Sequence, residues 1–427
     1  MIAWLQMYST RGILLLLFLL LAALSGSALA QSGDHKTGTA AAERLEELYA
    51  KGSAALFNLD YDSAQQTFKE MARLSPDDPT GVQMQAYALW LETLNKSRLL
   101  QAAIYSTQSF YAGTEDKPDP RVVQDFRDLT RQATQLAKAR LQRNPRDPQT
   151  LYILGAIETL KGSFAATIER RFLAALRDGS SGVDRHRQVI KLDPNFHDAE
   201  LSIGLYDYIV GTLPLGAKLV VSFVGARGSK KRGIETLERV AKEGHWERDD
   251  ARVLLIGLYK REKRFPEALD LSRELQEKYP RNYLFRLETA DTLILQAVTE
   301  RRANRIKEAA ELETEAVRAF DQLLHARSTA GAPARALDLI HFRYGEALLL
   351  LGQSEHAARE FLAATIVNGA EPGLVTRAHL RAAQAFDLAG KRDEALAEYR
   401  IVLSRPNIYD SLEQARRGLK EPYKQTK

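Results

Sequence analysis

Tyr344-Gly345-Glu346-Ala347-Leu348-Leu349-Leu350-Leu351-Gly352-Gln353-Ser354-Glu355-His356-Ala357-Ala358-Arg359-Glu360-Phe361-Leu362-Ala363-Ala364 is the stretch that decides the fold. Twelve residues separate Gly345 from Ala357, four more reach Phe361, and three more reach Ala364. At helical spacing, Gly345 and Ala357 remove bulk where two short antiparallel helices cross. Phe361 is expected to fill the space between that hairpin and the next. One hairpin cannot bury its own apolar face, so neighbours must stack into a solenoid. The stretch therefore predicts a surface for holding another macromolecule rather than a pocket for chemistry.

Working outward, three further segments keep the same register. The first has Leu48, Gly52, Tyr61, Ala64, Phe68 and Pro76, with Asp62-Ser63 as the expected cap of its second helix. Another has Leu255, Tyr259, Phe265, Ala268 and Pro280, and the last has Ala383, Phe386, Gly390, Ala395, Tyr399 and Pro406. On these residues the chain resembles the tetratricopeptide repeat family. The resemblance implies an all-α fold, a right-handed α-solenoid of helical hairpins, here with long central helices and two inserts. No alternating strand pattern longer than a few residues competes with it.

The pattern divides the chain into a leader (1–30), a lead-in (31–41), a repeat unit (42–79) and a long helical pair (80–144). Two units with inserts (145–245), a unit (246–282), an elongated unit (283–332), two regular units (333–408) and a capping helix with tail (409–427) follow. The long pair is expected as Gly81–Phe110 and Arg121–Arg143. Gly155 and Pro194 lie 39 residues apart, about 15 more than the repeat requires, which places an insert around Phe164–Ser181. Gly204 and Gly233 lie 29 apart, about 17 too many. Asn195–Tyr259, with Gly204-Leu205-Tyr206, Leu213-Pro214 and Phe223-Val224-Gly225, resembles the central region of a eukaryotic family. That tetratricopeptide family is associated with inclusion-body clearance and the mitochondrial outer membrane. The resemblance implies a shared apolar insert between helices and transfers no cellular role.

The 427 residues are 45% apolar and 27% charged, the balance of an ordinary folded protein. Sixty Lys and Arg against 55 Asp and Glu give a net charge of +5, too dilute to imply a nucleic-acid partner. There is no cysteine, which excludes disulfides, thiolate catalysis, iron–sulfur clusters and a lipid-modified cysteine. Residues 1–30 read as a secretory signal. Arg11 is their only charge, Ile13 to Leu24 is apolar, and Ser25-Gly26-Ser27-Ala28-Leu29-Ala30 ends in a small-x-small cleavage pattern. Cleavage after Ala30 would leave a periplasmic or secreted chain, the alternative being an uncleaved amino-terminal membrane anchor.

No residue cluster points to catalysis, a cofactor or a metal. The eight histidines form no His-Glu-x-x-His motif, and His186 and His197 read as packing or surface residues. Gly228 is followed by Ser229 rather than Lys, so the glycine-rich loop there is not a Walker A motif. The most apolar stretch, Tyr208–Val224, precedes a basic cluster. Leu213, Leu215, Phe223, Arg227, Lys230, Lys231 and Arg232 could dock at an anionic membrane surface, against a reading in which the stretch packs inside the solenoid.

In tetratricopeptide proteins the first helix of each unit lines the concave groove, and chaperone-binding members carry a Lys and an Asn that clamp a peptide carboxylate. The corresponding places here hold Tyr49 and Ser53, Val253 and Gly257, Phe342 and Glu346, and Leu380 and Gln384. The clamp is absent. The resulting expectation is a mostly apolar protein-binding groove at Tyr49, Ser53, Phe342, Glu346, Leu380 and Gln384. The chain reads as an exported, non-catalytic protein-interaction scaffold for the bacterial cell envelope. A peripheral membrane-docking protein and a regulatory subunit of an envelope enzyme are the alternatives.

Overall fold

The computed structural model describes residues 37–100, 114–115, 117–213, 228–325 and 336–424. Among these residues every regular element is a helix, and they form two compact units. The first comprises residues 37–94 and 118–258, and the second comprises residues 95–100, 114–115, 117 and 259–424. The leader and most of the 208–227 segment lie outside the described residues.

The first unit contains α1 (Thr37–Phe57), α2 (Tyr61–Leu74), α3 (Thr80–Lys96), α4 (Pro120–Arg143), α5 (Pro148–Thr167), α6 (Phe172–Leu192), α7 (Glu200–Thr212) and α8 (Lys230–Glu243). It also holds most of α9 (Arg248–Arg261). The helices pack as consecutive antiparallel hairpins. Capping chemistry fixes their starts. Asp60 accepts from the Ser63 amide at 3.2 Å, and Asp119 and Asp147 do the same for α4 and α5 ahead of Pro120 and Pro148. The cap of α2 is thus Asp60 and not the expected Asp62-Ser63. Both of those residues lie inside the first turn, because Leu59 in the left-handed region (φ 60°) ends the turn before Asp60.

Two kinds of helix alternate. The first helix of a pair is buried nearly all round, as in α3 from Thr80 to Ala88 and α5 from Gln149 to Ala166. The second is amphipathic, burying one stripe, as α4 buries Phe126, Thr130, Ala133 and Ala137. Close approach needs small residues at two places. A Cβ on Gly52 would lie 2.3 Å from the Phe68 ring, and one on Gly155 would lie 2.5 Å from His186. The residues surplus to the repeat around Phe164–Ser181 form no separate loop, because both α5 and α6 run about two turns longer than their counterparts. By contrast α3 stops at Lys96, where Arg98 adopts φ 56°, and residues 101–110 of the expected long helix lie outside the described residues.

The second unit contains α10 (Phe265–Lys278), α11 (Tyr283–Arg302), α12 (Ile306–His325), α13 (Leu337–Leu350), α14 (Ser354–Thr365), α15 (Pro372–Leu388), α16 (Arg392–Leu403) and α17 (Ser411–Lys420). Phe361, fully buried, lies across Gly345 of its own hairpin, where a Cβ would be 2.7 Å from the ring. Phe320 of α12 stacks on Tyr344 at 4.8 Å and so joins one hairpin to the next. The turns repeat one device, a single left-handed residue after the first helix: Lys263, Asn304, Gly352 and Gly390. At the end, α17 buries Ser411, Ala415 and Gly418, the last directly under Tyr399, and leaves its charged face to solvent.

Candidate functional site

Three first helices of the second unit, α11, α13 and α15, share a face whose charged residues form a ladder. Lys260 Nζ lies 2.5 Å from Glu288 Oε2. Arg343 Nη2 lies 2.5 Å from Asp291 Oδ2, with its Nε at 3.1 Å. Arg381 donates to both oxygens of Glu346, at 2.5 and 2.8 Å, and to Gln384 Oε1 at 2.6 Å. Each bond runs from one first helix to the next, except that to Gln384. Burial opposes ionisation of Glu346, but the Arg381 and Arg343 charges hold its carboxyl below the ordinary range. Burial likewise opposes the charge on Arg343, and Asp291 more than offsets it.

Arg377 departs from this pattern. Its guanidinium lies 4.7 Å from the Phe342 ring centroid and 5.6 Å from that of Tyr409. It makes no hydrogen bond or ion pair with any described residue. Burial draws its pKa below the ordinary arginine value, while Arg381 one turn away is raised by Glu346. Cation–π contact uses the faces of the rings and leaves the guanidinium N–H groups unspent. Among these described residues the ladder carries one half-buried positive charge in excess.

The six expected groove residues have different fates. Phe342 is buried beneath Arg377 and meets Phe361 edge-on at 5.4 Å. Glu346 is the ion-pair partner of Arg381, Leu380 is buried, and Gln384 is buried between Arg381 and Gln414. These four therefore support a charged face rather than forming an apolar one. The sequence reading passed over Arg343, Arg377 and Arg381, although Arg377 and Arg381 stand four residues apart on one helical face. An unpaired arginine cannot be told from a paired one without the neighbouring helix.

Tyr49 and Ser53 belong to the interior of the first unit. Tyr49 is buried and meets Trp246 edge-on at 6.3 Å, and the Ser53 hydroxyl is buried one turn along the same helix. It belongs to a polar cluster at the start of α9. Tyr87 donates to Asp250 Oδ1 at 2.9 Å, and Tyr152 donates to the fully buried Glu247 at 2.5 Å. Asp198 Oδ1 accepts the amides of His245, Trp246 and Glu247 at 2.8, 3.1 and 3.0 Å. Burial raises the Asp250 carboxyl to about 7 and pushes the tyrosines well above their usual value. His186 packs beside this cluster. Its Nε2–H donates to the Tyr152 carbonyl at 3.1 Å, so Nδ1 accepts from Ser202 at 2.7 Å. Burial lowers His186 to about 4, which keeps it neutral. The two tyrosine bonds tie the start of α9 to α3 and α5, and the Tyr49–Trp246 ring contact ties it to α1, as structural staples do.

Of the residues considered for membrane docking, Leu215, Phe223 and Arg227 lie outside the described residues. Leu213 is buried, Arg232 pairs with Asp207, and Lys231 stands 3.7 Å from Glu235. Lys230 and Lys231 are exposed. No helix among the described residues is long and apolar enough to cross a membrane.

No protein-family model and no curated protein matches the chain. Among solved structures it is similar to human IFIT1 with m7Gppp-AAAA, at 11% identity over 96% of this chain and 85% of that one, TM-score 0.47. It is similar to TTC0263, a tetratricopeptide protein of Thermus thermophilus, at 17% identity over 58% and 99%, TM-score 0.32. Yeast Tom70 aligns at 12% identity over 90% and 89%, TM-score 0.37. The fold itself rests on the consecutive hairpins described above.

Proposed function

We propose that the protein is an exported, non-catalytic scaffold that holds a partner polypeptide on the shared face of α11, α13 and α15, in assembly or maintenance of the cell envelope. One observation carries this reading: Arg377 is a half-buried guanidinium, flanked by Phe342 and Tyr409, whose donors no described residue accepts. A partly desolvated cation without a partner lowers stability unless something else gains from it. A partner's acidic group would satisfy it, and the ladder around it is preorganised, which lowers the ordering cost of binding. Support for export is the leader chemistry of residues 1–30, and amino-terminal sequencing of the exported protein is expected to begin at Gln31.

The test uses a photo-crosslinking amino acid in place of Tyr409, in intact cells, with Glu311 on the exposed side of α12 as the control position. Adducts are expected from position 409 and not from 311, and Arg377→Met should remove them. Equal adducts at both positions, or none at 409, would defeat the reading. The exposed Lys230 and Lys231 keep a membrane-surface role as a second reading. Flotation with anionic liposomes at low salt decides it, since a docking protein must rise with the vesicles.

A further inference from the structure

We propose that the segment Glu421–Lys424 is a built-in occupant of the α15 face, an autoinhibitory strap that a partner segment must displace before it can engage Arg381 and Arg377 together. This deepens the reading of that face as partner-binding and rests on it. The chain leaves α17 at Lys420 and turns extended at Glu421 (φ −138°, ψ 139°). Arg392 closes the helix end by donating to the carbonyls of Gly418 and Leu419 at 2.7 and 3.2 Å. The segment then crosses the carboxy-terminal end of α15. There the Tyr423 amide donates to Asp387 Oδ2 at 2.7 Å, and the Tyr423 side chain lies beside the Arg381 guanidinium. Asp387 is a rigid anchor. Its side chain is fully buried and also accepts from Tyr399 at 2.9 Å and Arg392 at 2.7 Å.

Asp387 and Arg381 are six residues apart on α15, about 9 Å along its axis, and Arg377 lies about 6 Å further the same way. Tyr423 therefore lies back along the helix toward Arg377 and stops one turn short of it. An extended backbone, an amide donated to a carboxylate and a side chain laid beside an arginine are the contacts of a bound peptide. Three of the four residues, Glu421, Pro422 and Lys424, are exposed, so Tyr423 is the only firm hold. A strap fastened by one residue can close at the millimolar effective concentration of a tethered segment and still yield to a longer partner.

The test uses the full chain and a fluorescein-labelled synthetic peptide of residues Gly418–Lys427 added in trans, followed by fluorescence anisotropy. Tyr423→Ala should vacate the site, so the peptide is expected to saturate this variant at a concentration at least tenfold lower than wild type. Tyr423→Phe keeps the ring and loses the hydroxyl, and should fall between them. Adding Arg381→Gln to Tyr423→Ala should abolish saturation, with circular dichroism confirming that each variant is folded. Identical isotherms for wild type and Tyr423→Ala, or no saturation of Tyr423→Ala into the millimolar range, would overturn the strap. Neither outcome touches the crosslinking test, which reads a partner at Tyr409 independently of the tail.

Discussion

Two arginines on one face, Arg343 and Arg377, show opposite balances between stability and function. Arg343 neutralises Asp291, so Arg343→Ala leaves a buried carboxylate exposed to no counter-ion but Lys260. Breaking such a pair costs about 3–5 kcal/mol, which should lower the melting temperature of the second unit by roughly 10 °C. Arg377→Met removes an unpaired charge and keeps the packing against Phe342, so its melting temperature should equal or exceed that of wild type while crosslinking is lost. Calorimetry on both variants checks the contrast, and a large drop for Arg377→Met would show that the guanidinium has a structural partner. Asp250 supplies a pH signature. Its folded pKa of about 7 lies above the ordinary 3.8, so the stability it contributes is complete below about 4 and is lost as pH rises through 7. Asn cannot ionise there and can still accept from Tyr87. The melting-temperature difference between Asp250→Asn and wild type should therefore widen from pH 4 to pH 7 and then stay constant. His186, buried and neutral, titrates with the opposite sign in both proteins and cancels from that difference. A difference independent of pH would refute the assignment.

Helix pairs obey a simpler rule, and this is where the sequence was most legible. The spacing of Gly52 to Phe68 and of Gly345 to Phe361 is the same sixteen residues, and both rings lie on bare backbone. The hairpins, their turns and the amphipathic last helix could be read because each depends on residues close in sequence. Gly155 was read as a repeat glycine, but what covers it, His186, could not be foreseen, since the ring arrives from a helix lengthened by two turns. That ring is pinned on both nitrogens and cannot yield. Gly155→Ala should thus cost about 1–3 kcal/mol by overpacking, seen as a lower denaturation midpoint with an unchanged slope. A neutral outcome would mean that α5 and α6 can slide apart. Register alone points to Phe342, Glu346, Leu380 and Gln384, because it follows position in the repeat. The electrostatics that matter run between helices 35 to 52 residues apart, as in Glu346–Arg381 and Asp291–Arg343.

At the scale of the molecule, the chain is two sets of hairpins, each closed by its own polar devices. In the first, the Glu247–Asp250 turn is held by tyrosines 95 and 163 residues upstream; in the second, Asp338 joins Arg98 across 240 residues. Such contacts cannot be read from periodicity, which reports only neighbours. Asp250→Asn and Arg343→Ala accordingly belong to different cooperative units. Hydrogen exchange should locate the response of the first variant within 37–94 and 118–258, and that of the second within 259–424, whereas a response spread over all peptides from either variant would mean one cooperative unit. The long α5–α6 pair carries one more lesson, about how this chain can change length. Its surplus of about fifteen residues amounts to seven or eight on each rod, close to two whole windings of 3.6. Lengthening in that quantum preserves rotational phase, so glycine and ring still meet. Insertions or deletions that come singly would swing every contact beyond them by about 100°. Viable length variants of such hairpins should therefore arrive as matched pairs, one on each limb.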